Sequence, residues 1–321
     1  MRVLMGTDGS GTGLAMPLPG WEVSFFTSGR LVDHLDGVDV LCPIMVPVDE
    51  AVLRAGRFGL VQQFGVGLDN VDVAAATASG VWVARLPADL TGNADSVAEL
   101  AVLDVLALVR RLDEARAAIR AGQWNRPVAN ALLDATVLIV GLGAVGTAVA
   151  RRLAGFGVTI LGVRAHPDRG GPPGVAEVAG PDQLAELLGR ADVVVCCAMY
   201  DGGNGRMFDA AAFGAVKPGA YFVNVARGGL VDEQALLAAL DSGHVAGAGL
   251  DVFTVEPAAP DGPLVSHPRV IATPHIAGVT GTALRRSLQL FAENLQRWAA
   301  GQPPRWAVNA PASPRRPDVR S

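Results

Sequence analysis

A six-residue glycine pattern limits most strongly how this chain can fold. Gly141-Leu142-Gly143-Ala144-Val145-Gly146 follows the apolar run Val137-Leu138-Ile139-Val140 and opens a stretch with Val145, Val149 and Leu153 at helical spacing. GxGxxG alone is a weak signal, but between a strand and a helix it is what a dinucleotide-binding βαβ unit requires. Gly141 allows the tight turn, Gly143 lets backbone approach a pyrophosphate, and Gly146 lets helix and strand pack closely. The phosphates would sit on the free N–H groups at the helix start, around Ala144 and Val145. The alternative is an ordinary strand–helix turn, and the flanking pattern weighs against it.

Strands and helices alternate along the rest of the chain. Apolar runs at Arg2–Met5, Glu22–Phe26, Val38–Cys42, Leu60–Gln63 and Val81–Ala84 read as one series of strands. A second series comprises Thr136–Val140, Val158–Val163, Val175–Val178, Val193–Cys196, Tyr221–Val225, Ala246–Val252 and Val270–Ala272. Such alternation predicts parallel sheets with helices on both faces. Helices are expected at Ala144–Ala154, Pro181–Leu188 and Asp232–Leu240, the last capped by Asp232 and ended by Gly243. Ser96–Val109 is nearly all apolar and runs into the Arg-rich stretch Arg110–Ala121. A helix apolar around most of its circumference packs between layers, which suits a domain junction or a subunit interface. A final helix near Thr280–Ala299 has Leu284, Leu288, Phe291, Leu295 and Trp298 at helical spacing, and the tail is expected to fray beyond Asn309.

Composition narrows the class. A length of 321 residues points to about two domains, and 50% hydrophobic with 18% charged residues excludes a disordered chain. The balance of 26 basic and 31 acidic residues lacks the basic surface of a general nucleic-acid binder. Cys42, Cys196 and Cys197 each end an apolar run, so buried strand thiols are expected rather than a disulfide. No spacing suits a metal site, no uncharged apolar run suits a membrane span, and Met1–Gly6 reads as a strand rather than a leader. The expected setting is reducing and cytoplasmic.

The polar residues that follow strand ends carry the chemistry. Open parallel sheets bind ligands at the carboxyl ends of their strands. Arg227, Glu256 and His275 each follow such an end, on the edge that also carries the glycine loop. An arginine can grip a carboxylate and polarise a ketone, a histidine can donate a proton as hydride arrives, and a glutamate can hold the imidazole in its charged form. Cofactor choice rests on the residue after the next strand, where an acid about 20 residues on binds the ribose of NAD. Here Arg164 stands 18 residues past Gly146, and no carboxylate appears before Asp168. Arginine suits a 2′-phosphate, so NADP(H) is preferred, with NAD(H) open if Asp168 serves the ribose instead.

These segments together resemble the D-isomer-specific 2-hydroxyacid dehydrogenases, a family that includes glyoxylate/hydroxypyruvate reductases and phosphoglycerate dehydrogenase. The resemblance runs through Gly65-Val66-Gly67-Leu68-Asp69-Asn70-Val71-Asp72, Ser96-Val97-Ala98-Glu99, the glycine loop, Asn224-Val225-Ala226-Arg227-Gly228, Leu250-Asp251-Val252 with Glu256-Pro257, and Thr273-Pro274-His275-Ile276-Ala277-Gly278. It implies an α/β fold of two doubly wound parallel-sheet domains. A Rossmann cofactor domain (residues 96–283) would be inserted in a flavodoxin-like substrate domain (residues 1–95 and 284–321), with the active site between them. It implies Arg227, Glu256 and His275 as the catalytic set and Val66 and Gly67 as backbone donors to the substrate carboxylate. Ala226 would lie against the cofactor, and Asp251 would hold the nicotinamide carboxamide. A homodimer through residues 96–121 is implied as well.

The chain departs from the family pattern at Ala198–Gly205, where a Pro- and Thr-containing stretch is usual, and that loop is expected to be remodelled. Val66 stands where phosphite-oxidising relatives carry Lys, and Glu256 where formate oxidisers carry Gln, which argues against both activities. The resulting expectation is NADPH-preferring reduction of a small 2-keto acid, of the glyoxylate or hydroxypyruvate kind, to the D-2-hydroxy acid. The apolar loop Pro43-Ile44-Met45-Val46-Pro47 would face the substrate side chain, with Met45 in contact. Arg54 and Arg57 offer either a site for a phosphate- or phosphonate-bearing substrate or a solvated helix face. A dinucleotide-sensing corepressor is the alternative from another class. With a strand expected from Arg2, no added partner-binding segment is expected for that role.

Overall fold

The computed structural model describes residues 1–6, 18–200 and 203–316. Every strand pairing in it is parallel. The chain divides into one unit of residues 1–92 and 281–321 and a second of residues 93–280.

The first unit holds β1 (Arg2–Gly6), β2 (Glu22–Phe26), β3 (Val40–Cys42), β4 (Leu60–Gln62) and β5 (Trp82–Ala84), in the order β2-β1-β3-β4-β5. Its helices are α1 (Glu50–Ala55), α2 (Val73–Ala78), α3 (Ala88–Thr91) and α10 (Gly281–Ala299). Strand residues alternate between two apolar layers. Leu4, Leu41, Val61 and Val83 face one core with Leu53 and Phe58, while Val3, Met5, Val40, Cys42 and Leu60 face Phe291, Leu295 and Trp298 of α10. The helical spacing seen in the sequence is thus the buried face of α10, though Leu284 and Leu288 are only half-buried. One polar contact is buried there: Asn294 Nδ2 donates to Gln62 Oε1 at 2.5 Å.

The second unit holds α4 (Asn93–Val109), α5 (Leu112–Arg120), β6 (Thr136–Val140), α6 (Ala144–Leu153), β7 (Thr159–Val163), β8 (Val175–Ala179), α7 (Leu184–Leu188), β9 (Val193–Cys196), α8 (Ala210–Ala215), β10 (Ala220–Asn224), α9 (Glu233–Asp241), β11 (Val245–Leu250) and β12 (Val270–Ala272). Strand order is β12-β11-β10-β9-β6-β7-β8, the doubly wound order with one strand added. Asp232 caps α9 by accepting from Gln234 and Ala235 N–H, and Gly243 follows in the left-handed region at φ 77°. The helix expected at Pro181–Leu188 begins as a 3₁₀ turn, Pro181–Gln183, before α7. Periodicity does not predict the short α8. Asp209 caps it, but Ala-rich residues give little apolar periodicity.

The cysteines are free thiols, with Cys42 and Cys196 fully buried and Cys197 half-buried. Burial pushes the Cys42 and Cys196 thiols up to about 12, opposed only by backbone hydrogen bonds. Among the described residues, no helix is long and apolar enough to cross a membrane, and no group of three His, Cys, Asp or Glu side chains could hold a metal ion.

The tail corrects an expectation. Beyond Asn309 the chain does not fray at once, because Arg315 docks on the first unit. Its guanidinium donates to the carbonyls of Gly56 (2.8 Å), Leu53 (3.2 Å) and Phe58 (3.3 Å), and its N–H donates to Gly80 O at 2.7 Å. A Pro- and Arg-rich composition hides this, since the carbonyls it meets are distant in sequence. Arg315→Ala leaves these carbonyls short of a charged donor and should lower stability by about 1–3 kcal/mol in urea unfolding.

Candidate active site

The glycine loop lies at the carboxyl end of β6, where strand order reverses between β6 and β9. Gly141 has φ +101°, and a Cβ there would stand 2.5 Å from the Ala198 nitrogen. A Cβ on Gly146 would stand 2.0 Å from Gly141 O, so the first turn of α6 closes directly on the end of β6. Gly143 meets nothing within 4 Å, and as the N-cap of α6 it supplies no capping side chain. The start of α6 therefore presents the Gly143, Ala144 and Val145 backbone beside the open space at Gly143, with Gly146 packed on β6 behind it, which fits a pyrophosphate on backbone donors.

Arg164 follows β7, and its Nη1 donates to Gly170 O at 2.7 Å. The bond steadies a guanidinium that is half exposed. Asp168 sits in the exposed 3₁₀ turn Pro167–Arg169. In the divergent stretch, Tyr200 packs over Gly229 and Met199 is 71% exposed, while Asp201 and Gly202 lie outside the described residues.

Three neighbouring strands deliver the next residues. Arg227 follows β10, Glu256 follows β11 and His275 follows β12. Buried Asn224 fixes the turn before Arg227: its Oδ1 accepts from Ala226 N–H at 3.0 Å, and its Nδ2 donates to Arg227 O at 3.1 Å. Ala226 is buried, and its carbonyl accepts from Arg227 Nη1 at 2.8 Å. Glu256 Oε1 accepts from Phe253 N–H at 2.9 Å, and Oε2 lies 2.7 Å from His275 Nδ1. Burial pushes the Glu256 carboxyl up, but the bonds from His275 and Phe253 and the charges of His275 and Arg227 outweigh it and hold the group below its ordinary value. A carboxylate only accepts, so Nδ1 carries the proton of that bond and Nε2 is left for chemistry.

Asp251 builds the backbone under His275. β11 ends at Leu250, and the Asp251 carboxylate then takes over as acceptor. Its Oδ1 accepts from Thr273 Oγ1 at 2.6 Å and Ile276 N–H at 2.8 Å, and its Oδ2 from Ala277 N–H at 2.9 Å. Asp251 O accepts from His275 N–H at 2.9 Å. These bonds hold His275 at φ 54°, a conformation an L residue keeps only when its surroundings impose it. One Oδ2 lone pair remains in the count, so the carboxylate has room for a carboxamide donor.

In the first unit, Val66 and Gly67 lie in the loop after β4, half-buried. Arg85, just past β5, donates from Nη1 to Val66 O at 3.2 Å. In a trans peptide C=O and N–H point apart, so this bond turns the Gly67 N–H away from Arg85. Met45 is 50% exposed in the loop after β3, which Asn70 holds through the carbonyls of Ile44 (3.3 Å) and Val46 (2.7 Å). Arg54, in the last turn of α1, and Arg57, between α1 and the start of β4, lie at the opposite edge, and Arg54 pairs with Glu50 at 3.3 Å. That is the solvated face, not the strand-end edge. Neither Arg85 nor Asn224 stands out by residue pattern alone. A single Arg after a strand and an Asn at a strand end were the available signals.

Comparison with known proteins decides the family. Residues 102–277 match the family model described as D-isomer specific 2-hydroxyacid dehydrogenase, NAD binding domain. The chain belongs to the D-isomer-specific 2-hydroxyacid dehydrogenase family. It is 39% identical over 263 residues to D-3-phosphoglycerate dehydrogenase 3, chloroplastic, of Arabidopsis thaliana, covering 81% of this chain and 44% of that protein. The chain thus spans about half the length of the curated phosphoglycerate dehydrogenases it matches. It is 35% identical over 277 residues to glyoxylate reductase of Thermofilum pendens, covering 84% of this chain and 80% of that one. The NADPH-dependent glyoxylate/hydroxypyruvate reductase of Sinorhizobium meliloti, solved with NADP and malonate, superposes with a TM-score of 0.82 at 29% identity and 99% coverage of both chains. As in solved members of this dehydrogenase family, both domains are parallel-sheet α/β structures.

The Glu256–His275 pair gives a pH prediction. A carboxyl held below its ordinary value adds stability that is present above that ordinary value and lost as pH falls through the lowered one. Glu256→Gln should therefore cost about 1–3 kcal/mol near neutral pH, and the gap to the native chain should close in strong acid, read by urea unfolding across pH.

Proposed function

We propose that this dehydrogenase-family member reduces a small 2-keto acid to the D-2-hydroxy acid, with hydride from NADPH. The observation that carries the reading is the 2.7 Å pairing of His275 Nδ1 with Glu256 Oε2 at three neighbouring strand ends that also deliver Arg227. The second unit serves as cofactor domain and the first as substrate domain. The dinucleotide, held at Gly141, Gly143, Ala144, Val145 and Gly146 and by Ala226 and Asp251, supplies the hydride when bound. Arg227 binds the substrate carboxylate and carbonyl. In the first unit, Val66 and Gly67 offer backbone N–H groups for a substrate carboxylate, and Met45 a contact for the substrate side chain. His275 Nε2 gives the proton to the carbonyl oxygen, and the Glu256 carboxylate stabilises the imidazolium that supplies it. Arg164, already anchored on Gly170 O, meets the 2′-phosphate.

The likeness to phosphoglycerate dehydrogenases at 39–40% identity supports a second reading, a phosphate-bearing 2-keto acid. Arg54 and Arg57, at the wrong strand edge, lend it nothing. We further propose a homodimer through residues 96–121, supported by Leu103, Leu112 and Ile119 at 46–56% exposure. Free, buried thiols suit a reducing, cytoplasmic setting.

A panel of 2-keto acids, phosphorylated ones included, assayed with NADPH and NADH tests reaction, substrate and cofactor together. His275→Asn, which tolerates the left-handed backbone, should cut kcat by about 10²- to 10⁴-fold while NADPH affinity by fluorescence titration holds. Undiminished turnover rejects the assignment. Arg164→Asp should move kcat/KM preference from NADPH toward NADH by at least about tenfold, the worth of one charge-assisted bond. Retained NADPH preference removes Arg164 as the selector.

A further inference from the structure

Asp104 and Asp251 are both buried, at 2% and 1% exposure, yet only Asp251 has hydrogen-bond partners on both carboxylate oxygens. Asp251 holds the loop under His275. Asp104 Oδ2 makes no hydrogen bond at all. Such a group is expensive to leave unpaired in a core, and more so when ionised.

The two acids share one space. Asp104 lies on the face of α4 that packs on β11, directly over Gly249. A Cβ on Gly249 would stand 2.8 Å from the Asp104 Cβ and 3.0 Å from its Oδ2. Only a residue without a side chain leaves room for this carboxyl. Asp251 is two residues further along, just past the end of β11, and its Oδ2 takes the N–H of Ala277, which packs in the same apolar layer as Ala101 and Val105 of α4. Burial, and then the charge of Asp251, push the Asp104 carboxyl up to about 7.

No cation offsets this pair among the described residues packed on α4. Arg151 and Arg152 of α6 are engaged by Asp95 and Glu99 in the first turns of α4. Arg111 pairs with Glu114 of α5, close to Tyr221 of β10, at the far end of the helix. β11 itself has no titratable side chain.

We propose that Asp104 is a proton-dependent positioning residue: in its neutral form it leaves Asp251 holding the 273–277 loop, and in its ionised form it repels Asp251 and loosens the backbone that presents His275. The loop depends on those bonds, since His275 is kept at φ 54° by the contacts Asp251 makes. The structural half of this inference stands on the buried pair. The catalytic half rests on the reading of His275 as proton donor.

The test compares the full native chain with Asp104→Asn, which keeps shape and cannot ionise. A carboxyl raised in the fold makes stability fall as pH rises from the ordinary carboxylate range to about 7, then level off. That slope in urea unfolding should be present in the native chain and missing in Asp104→Asn. The amide proton signals of Ile276 and Ala277, followed by NMR, should show a step with a midpoint near pH 7 in the native chain that is missing from the profile of the variant. With the best 2-keto acid, kcat at pH 8 should be up to about tenfold higher in the variant than in the native chain, and equal at pH 6. A purely structural role changes stability and kcat by one factor at every pH. Parallel pH profiles of the two proteins in the amide signals overturn the proposal, even if the stability slope differs. Should Asp104→Asn fail to fold, Asp104→Leu carries the same comparison. Native chain inactive on every keto acid sinks the reductase reading, while the amide signals still decide the role of Asp104.

Discussion

Parallel strands cannot be joined by hairpins, and every feature of this protein follows from that constraint. Each connection must cross a sheet face, so both faces are covered and strand residues alternate between two buried layers. Strand carboxyl ends then gather on one edge of each sheet, where backbone leaves the ladder and turns back. Gly141, Arg227, Glu256 and His275 occupy that edge in the second unit, and Val66 and Met45 occupy it in the first. Placement of chemistry here is a by-product of chain direction.

What the edge needs in addition is stiffness. Loop residues at strand ends lose the ladder that held them, and side chains replace it. Asn224 does this for Arg227, Asp251 for His275, Asn70 for the Met45 loop and Arg85 for Val66. Each is a polar side chain satisfying backbone groups that no strand or helix satisfies, which is the general condition for a buried or half-buried loop. The imidazole in particular is fixed from two sides, by Glu256 on the ring and by Asp251 on the backbone.

Much of this was legible in the residues. Twelve apolar runs became twelve strands, and GxGxxG between a strand and a helix predicted the turn that Gly141 and Gly146 make. Boundaries moved by a residue or two where side chains intervene: the run at Ala246–Val252 stops as a strand at Leu250 because Asp251 turns to the loop. Long-range polar contacts were not legible. Arg315 meets carbonyls more than 250 residues away, and Asp104 reads as one of three acids in a largely apolar helix until Gly249 is seen beneath it. Periodicity reports which face is apolar. It does not report which backbone group lies opposite.

The buried cysteines have a use unrelated to function. One silent thiol sits in each sheet, Cys42 in β3 and Cys196 in β9, and burial keeps both protonated far above neutral pH. Only the thiolate reacts with alkylating reagents, so neither is labelled until its own sheet opens. Labelling rates at the two positions, told apart by peptide mapping, are therefore separate clocks for the opening of the two halves of the molecule, built into the native sequence.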